Sequence, residues 1–417
     1  MILARISQRR PARWPGALLM LMLTAAPAVG SLASSNALLS QAPPPAQQLA
    51  RPDPESLLIE VYKDLGASRL AAASEKANAL VAAYPTFRLG HLIRGDLLLM
   101  HTRPVRNFGA LTGAPEDKLK DLRDEAMVRL RSLQERPDPN LVPQAVLQVG
   151  EDQKNVFVVD ISRSRLYVYD NHAGQLTFQA DYYISQGKLG ANKTREGDQR
   201  TPIGVYYINS RIPGPKLPDF YGTGALPLSY PNEWDKRNGR NGYGIWLHGT
   251  PSDNFSRPPL SSDGCVVLAN PDLQSVYASA EVGKTSVVIS PRVHFVKRTD
   301  AVREREDITA AMARWQQSLE GADNAHTLSY YSSAFRSGNG EDLATWNARQ
   351  QKSMNGVRFT SVKLRDVSLF RYPGPEDMIV GTFTQESAVG RSKNTVRKRQ
   401  YWVREGSQWK IIYEGNA

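Results

Sequence analysis

A single cysteine, Cys265, stands in the run Leu260-Ser261-Ser262-Asp263-Gly264-Cys265-Val266, seventeen residues after the pair His248-Gly249 in a chain of 417 residues. A thiol that attacks an amide or ester carbonyl needs a base to take its proton, a partner to orient that base, and donors for the developing oxyanion. Each part has a candidate here. His248 closes the apolar run Ile245-Trp246-Leu247, and a strand end can present an imidazole at the mouth of a cleft. The carbonyl of Gly249 can fix the tautomer of that imidazole, and the amides of Gly264 and Cys265 can face an oxyanion once Gly264 turns the backbone sharply. The competing reading of Cys265 is a buried apolar residue, and that of His248 is a hydrogen-bonded histidine at a strand end. A metal site is not expected, because His91, His101, His172, His294 and His326 are scattered and show no ligand spacing to Cys265. No cofactor is implied either.

Substrate contacts are sought next to these groups. Ser262 and Asp263 flank the thiol, and the long connection Pro227 to Tyr243 feeds the His248 strand. Long loops in compact domains are often functional, so Tyr230, Trp234, Arg237 and Arg240 are candidates for binding a glycan or a carboxylate. Asp263 also reads as an exposed turn aspartate, and the arginines as ordinary surface ion pairs.

The elements that must position these residues fall into three folded regions. Residues 56 to 136 place Leu57, Leu58, Val61, Tyr62 and Leu65, then Leu119, Leu122, Ala126, Leu130 and Leu133, at helical spacing. A helical domain is predicted over 55–140. The texture changes after Arg136-Pro137-Asp138-Pro139, with strands predicted at 155–160, 165–170, 179–185, 204–208, 244–248 and 286–290. This mainly-β region spans 150–297. From 300 to 417 a helical pattern through Ile308, Met312, Trp315 and Leu319 continues to Leu328, Tyr331 and Phe335, and alternating strands follow at 359–364, 367–372, 378–385, 398–404 and 409–414. Helices followed by a meander predict an α+β domain.

Arg5, Arg9, Arg10 and Arg13 precede the apolar stretch Ala17 to Ala26 and small residues around Pro27 to Ser31, the three-part pattern of a secretory signal over 1–30. A Pro-rich spacer follows over 31–54. Export predicts a periplasmic location, and it makes an unpaired thiol informative, since oxidising compartments favour paired cysteines. No later segment is apolar for long enough to span a bilayer, so no stable membrane span is expected. Of the formal charge of +11, four arginines lie in the acid-free first 50 residues, which leaves +7. That surplus suits anionic envelope polymers or lipid headgroups, and no nucleic-acid partner is expected.

His248-Gly249 followed by Ser262-Asp263-Gly264-Cys265 resembles the H-G…S-x-G-C signature of the L,D-transpeptidase catalytic domain, also called the YkuD domain. Gly197-Asp198-Gln199-Arg200-Thr201-Pro202-Ile203-Gly204-Val205-Tyr206 is similar to the G-D-x-x-T-P-x-G-x-Y segment of the same domain. The resemblance implies a mainly-β catalytic domain that acts on peptidoglycan stem peptides through a thioester at the third residue. It makes Cys265 the nucleophile, His248 the base and the Gly249 carbonyl the third member of the triad. An amine then resolves the thioester into a crosslink, or water trims the peptide. Many crosslinking members read S-H-G-C followed by a small apolar residue and arginine, whereas this chain has Asp263 before Gly264 and Val267 after Val266. The three-part layout, with strands such as 400–403 and 408–412 at its end, looks like the cell-shape-determining L,D-carboxypeptidase group, whose last domain resembles the nuclear-transport-factor-2 (NTF2) fold.

Three readings follow: a transpeptidase on stem peptides, an L,D-carboxypeptidase that removes terminal D-Ala, and a catalytically silent wall-binding protein. Release of wall-linked protein uses the same thiol with a different acyl donor. The outer domains are candidates for a homodimer contact or an envelope partner. A reactive thiolate is expected to label quickly at neutral pH, where an ordinary thiol of pKa ~8.5 reacts slowly.

Overall fold

A computed structural model describes residues 53–417 except 106, 111, 112, 114, 322 and 354–358. The expected signal over 1–30 and nearly all of the expected spacer over 31–54 lie outside the described residues. Arg51–Ala417 forms one compact unit. Among the described residues, no helix is long and apolar enough to cross a membrane.

The N-terminal region is helical: α1 (Pro54–Gly66), α2 (Leu70–Ala83), α3 (Arg88–Met100) and α4 (Glu116–Gln134). Helix α1 starts where it does because Pro54 needs no amide partner in the first turn and the Asp53 carboxylate accepts from the Ser56 amide at 2.7 Å. Leu58, Val61, Ala73, Ala77, Leu80, Leu89 and Ile93 form its buried core. Phe255, a residue of the neighbouring β-rich region, inserts into that core.

The central region is a ten-stranded mixed sheet. After the short strands β1 (Leu141–Pro143) and β2 (Val146–Gln148), it is built from β3 (Asn155–Asp160), β4 (Arg165–His172), β5 (Gln175–Gly187), β6 (Gly204–Tyr207), β7 (Ile212–Pro213), β8 (Gly224–Pro227), β9 (Trp246–His248), β10 (Leu260–Ser262), β11 (Val266–Leu268) and β12 (Ser286–Ser290). Their order is β6-β12-β3-β4-β5-β11-β9-β8-β7, with β10 parallel to β5. Strands β3 and β12 read as unbroken apolar runs because both faces are covered, whereas three-residue strands such as β10 and β11 leave no periodic signature. Helices α5 (Glu233–Arg237) and α6 (Asn270–Ser279) interrupt the sheet. Helix α5 lies inside the expected loop. Asn232 and Asp235 cap it reciprocally, the Asn232 side chain accepting from the Asp235 amide at 2.8 Å.

Strand β13 (Phe295–Lys297) pairs with β1 and leads into α7 (Arg298–Glu320) and α8 (Asn324–Leu328). Then come β14 (Tyr331–Ser337), α9 (Leu343–Ser353), β15 (Ser361–Arg371), β16 (Met378–Val389), β17 (Ser392–Glu405) and β18 (Gln408–Asn416). The helical reading of Tyr331 and Phe335 is corrected: both lie on β14, which pairs parallel to β18. Their spacing of four fits a strand as well as a helix, and pairing decides it. The two strands expected at 359–364 and 367–372 are one, β15, bent by a register break between Arg365 and Ser368 where Asp366 has φ of 52°. Helix α7 buries Ile308, Met312 and Trp315 against Phe383 and Trp402 of this sheet.

Candidate functional site

Parallel pairing of β9 with β11 sets Val266 beside Leu247 and Val267 beside His248. Cys265 therefore sits one position ahead of β11, level with Trp246, while His248 ends the adjacent strand. Gly264 makes the sharp approach with φ of +130°, and a Cβ there would meet the Arg200 carbonyl oxygen at 2.7 Å. The turn is braced from inside. Ser262 is buried, and its Oγ donates to the Cys265 carbonyl at 2.6 Å and accepts from the Gly264 amide at 3.1 Å. The Gly264 amide is thus engaged within the turn, and Ser262 holds that turn together.

The imidazole of His248 is 1% exposed, and its Nδ1 lies 2.7 Å from the Gly249 carbonyl oxygen. A carbonyl can only accept, so Nδ1 carries the proton and Nε2 keeps its lone pair. Tyr221 packs edge-on against the ring at 5.1 Å between centroids, and Phe220 lies at 5.9 Å. Burial lowers His248 to about 4, against the opposing pull of the Gly249 bond. The Cys265 thiol donates to the Gly244 carbonyl at 3.3 Å. Burial pushes that thiol up to about 11, against the Trp246 amide and the positive charges of Arg257 and Lys193. The resting pair is a neutral thiol beside a neutral imidazole.

The Gly197-to-Tyr206 segment supports this turn. Thr201 is fully buried, with its Oγ1 donating to the Gly264 carbonyl at 3.0 Å and accepting from the Gly187 amide at 2.9 Å. Asp198 accepts from the Thr194, Arg195 and Arg200 amides and pairs with buried Lys193 at 2.8 Å. Burial alone would raise this carboxyl, but the Lys193 bond and those amides hold it at about 2.

The other sequence candidates are dispersed. Asp263 is exposed and paired with Lys188 at 2.9 Å. Tyr230 is buried and donates to the Asn241 carbonyl at 2.8 Å, and Arg240 pairs with Asp235 at 3.2 Å. Arg237 points away toward the C-terminal domain, donating to the Ala334 carbonyl at 2.6 Å. Tyr230, Arg237 and Arg240 thus hold the connection to α5 and do not gather at Cys265. A group that the motifs do not contain lies beside the site: Arg257, half-buried on the connection between β9 and β10, stacks over Phe220, which packs against His248. Its only sequence signal is a basic residue ahead of Pro258-Pro259 on the run between the two motif strands.

Residues 154–289 match the YkuD family, the L,D-transpeptidase catalytic domain. The central unit is an L,D-transpeptidase domain. Residues 307–415 match the Cds6 C-terminal NTF2-like domain, so this L,D-transpeptidase unit is followed by an NTF2-like one. The structure of Bd1075 from Bdellovibrio bacteriovorus is similar at 26% identity with a TM-score of 0.59, covering 66% of this chain and 98% of that one. The helical cell shape determining protein Pgp2 from Campylobacter jejuni is similar in fold at 23% identity with a TM-score of 0.55, covering 68% of this chain and 97% of its own. No curated protein matches the chain.

Proposed function

We propose that the chain is an exported, cysteine-dependent acyltransferase acting on peptidoglycan stem peptides. The observation that carries this reading is the His248 imidazole, locked by Gly249 with Nε2 unprotonated, on the strand paired with the one that Cys265 precedes. In the first half-reaction the Cys265 sulfur attacks the carbonyl carbon of the third stem residue. His248 Nε2 takes the thiol proton and delivers it to the departing amine of the fourth residue. In the second, an acceptor attacks the thioester, gives its proton to His248, and the thiol is restored. Because both groups rest neutral, proton transfer accompanies attack rather than preceding it.

An amine acceptor gives a crosslink, the outcome expected of an L,D-transpeptidase domain. A second reading, with water as acceptor and a trimmed tripeptide as product, is favoured by the layout shared with a helical cell shape determining protein. Incubation with tetrapeptide muropeptides separates them. New 3-3 crosslinks mark transfer, tripeptide marks hydrolysis, and neither product from wild type, or product surviving in Cys265→Ala, overturns the cysteine mechanism.

A further inference from the structure

The connection between β9 and β10 is fastened at three successive residues. Phe255 inserts between Tyr84 and Phe87 of the helical domain, with ring centroids 5.1 and 4.6 Å away, and its amide donates to the Thr86 carbonyl at 3.2 Å. The Ser256 hydroxyl donates to buried Glu125 of α4 at 2.8 Å. The Arg257 carbonyl accepts from Tyr183 at 2.8 Å. So much fixing around one side chain presents that side chain in a single place.

The Arg257 guanidinium lies over the Phe220 ring at 4.4 Å and donates to the Phe220 carbonyl at 3.3 Å. Phe220 is itself against His248. Among the described residues Arg257 has no carboxylate partner. The acid near it, Asp263, is held by Lys188 and accepts from the Gln199 side-chain Nε2 at 3.2 Å. A half-buried guanidinium with one carbonyl and one ring keeps most of its planar donor fork unused, and that fork matches a carboxylate.

We propose that Arg257 forms the subsite for the C-terminal carboxylate of the stem tetrapeptide, the group carried by the residue that leaves when the thioester forms. The proposal rests on the cysteine acyl-transfer reading. It supplies, from another loop, a cation on the His248 side of the site in a chain whose Cys265 motif has none. The subsite belongs to the first half-reaction, so it applies whether an amine or water follows. It also gives the helical domain a part in catalysis, since α4 and the Tyr84–Phe87 turn hold the loop that carries the guanidinium. Recognition of a free terminus would confine the enzyme to tetrapeptide ends and exclude pentapeptides, whose carboxylate lies one residue further on.

The test compares a stem tetrapeptide ending in a free carboxylate with the same peptide ending in a carboxamide. Wild type is expected to favour the acid by about 10- to 100-fold in kcat/KM, the span of one charged hydrogen-bonded contact, chiefly through KM. Arg257→Gln should abolish the preference, lowering turnover of the acid by about 10- to 100-fold more than that of the amide, with Arg257→Lys intermediate because a point charge lacks the fork. Equal losses on both peptides, or acid preference surviving in Arg257→Gln, overturn the proposal. Sensitivity to a carboxamide on the third residue in place of the terminal one moves the subsite and overturns it as well. Binding of the two peptides to Cys265→Ala, with and without Arg257→Gln, reads the same discrimination without turnover. It therefore separates failure of the subsite from failure of the acyl-transfer reading, and a thermal midpoint of Arg257→Gln near that of wild type excludes simple unfolding.

Discussion

At the residue scale, the pair His248 and Cys265 is set by burial. An imidazole held near 4 accepts a proton over the whole neutral range and becomes an unusable imidazolium only when the pH falls through about 4. The acid limb of kcat/KM is therefore expected near pH 4 rather than near the ordinary ~6.5. A limb at the ordinary value would contradict the burial account. Replacing His248 by Gln should lower kcat by about 10²- to 10⁴-fold, the usual size of a general-base contribution. The resting thiol, pushed up to about 11, also revises the labelling expectation. In the free enzyme Cys265 should alkylate slowly at neutral pH and accelerate as the pH climbs toward 11, so slow labelling does not argue against catalysis. Both residues were legible in the sequence because the thiol is single and the spacing to His248-Gly249 is distinctive. Arg257 was not, because it comes to the Phe220 ring beside His248 through a loop path that no motif records.

At the scale of elements, the nucleophile turn depends on a segment more than 60 residues away. Thr201 bridges Gly187 and Gly264, and Thr201→Val would leave the buried Gly187 amide without its acceptor. A loss of about 1–3 kcal/mol is expected in denaturant unfolding, together with a drop in kcat as the Cys265 turn loosens. Gly264→Ala places a Cβ against the Arg200 carbonyl at a φ that side chains avoid, and activity should fall with little change in the distant NTF2-like core. Intact kcat in both variants would show that the turn tolerates displacement. The long strands and helices were readable from periodicity, as the matches at 155–160 and 286–290 attest. What escaped were elements whose definition is pairing or capping: three-residue β10 and β11, helix α5 inside a polar loop, and β14, whose apolar spacing suits two periods.

At the scale of the whole molecule, three regions share interfaces built from buried charge. Arg129 of α4 pairs with Glu125 at 2.8 Å and with Glu55, and covers the Tyr183 ring of the catalytic sheet at 3.9 Å. On the other side, Glu233 of α5 accepts from Arg399 at 2.8 Å and Tyr401 at 2.9 Å of the NTF2-like domain, while Trp234 stacks on Tyr401 at 6.2 Å. Glu233 is part-buried, and Glu233→Ala, which leaves Arg399 and Tyr401 without their acceptor, should cost about 1–3 kcal/mol. A lowered and split calorimetric transition is the expected result, and a single unshifted one would show that the domains are not coupled through this seam. The composition could announce three regions, but it could not show that polar residues of the expected substrate loop, Arg237 and Glu233 among them, serve this seam instead.

In the proposed reaction Cys265 carries the acyl group, with His248 as its base. Intact-protein mass spectrometry of the enzyme mixed with a stem tetrapeptide and quenched in acid tests it directly. A mass increase equal to the tripeptide acyl group, located on Cys265, absent from Cys265→Ala and much slower to appear in His248→Gln, is the predicted result. Product formation by wild type without any such adduct, or with Cys265→Ala as active as wild type, would contradict it.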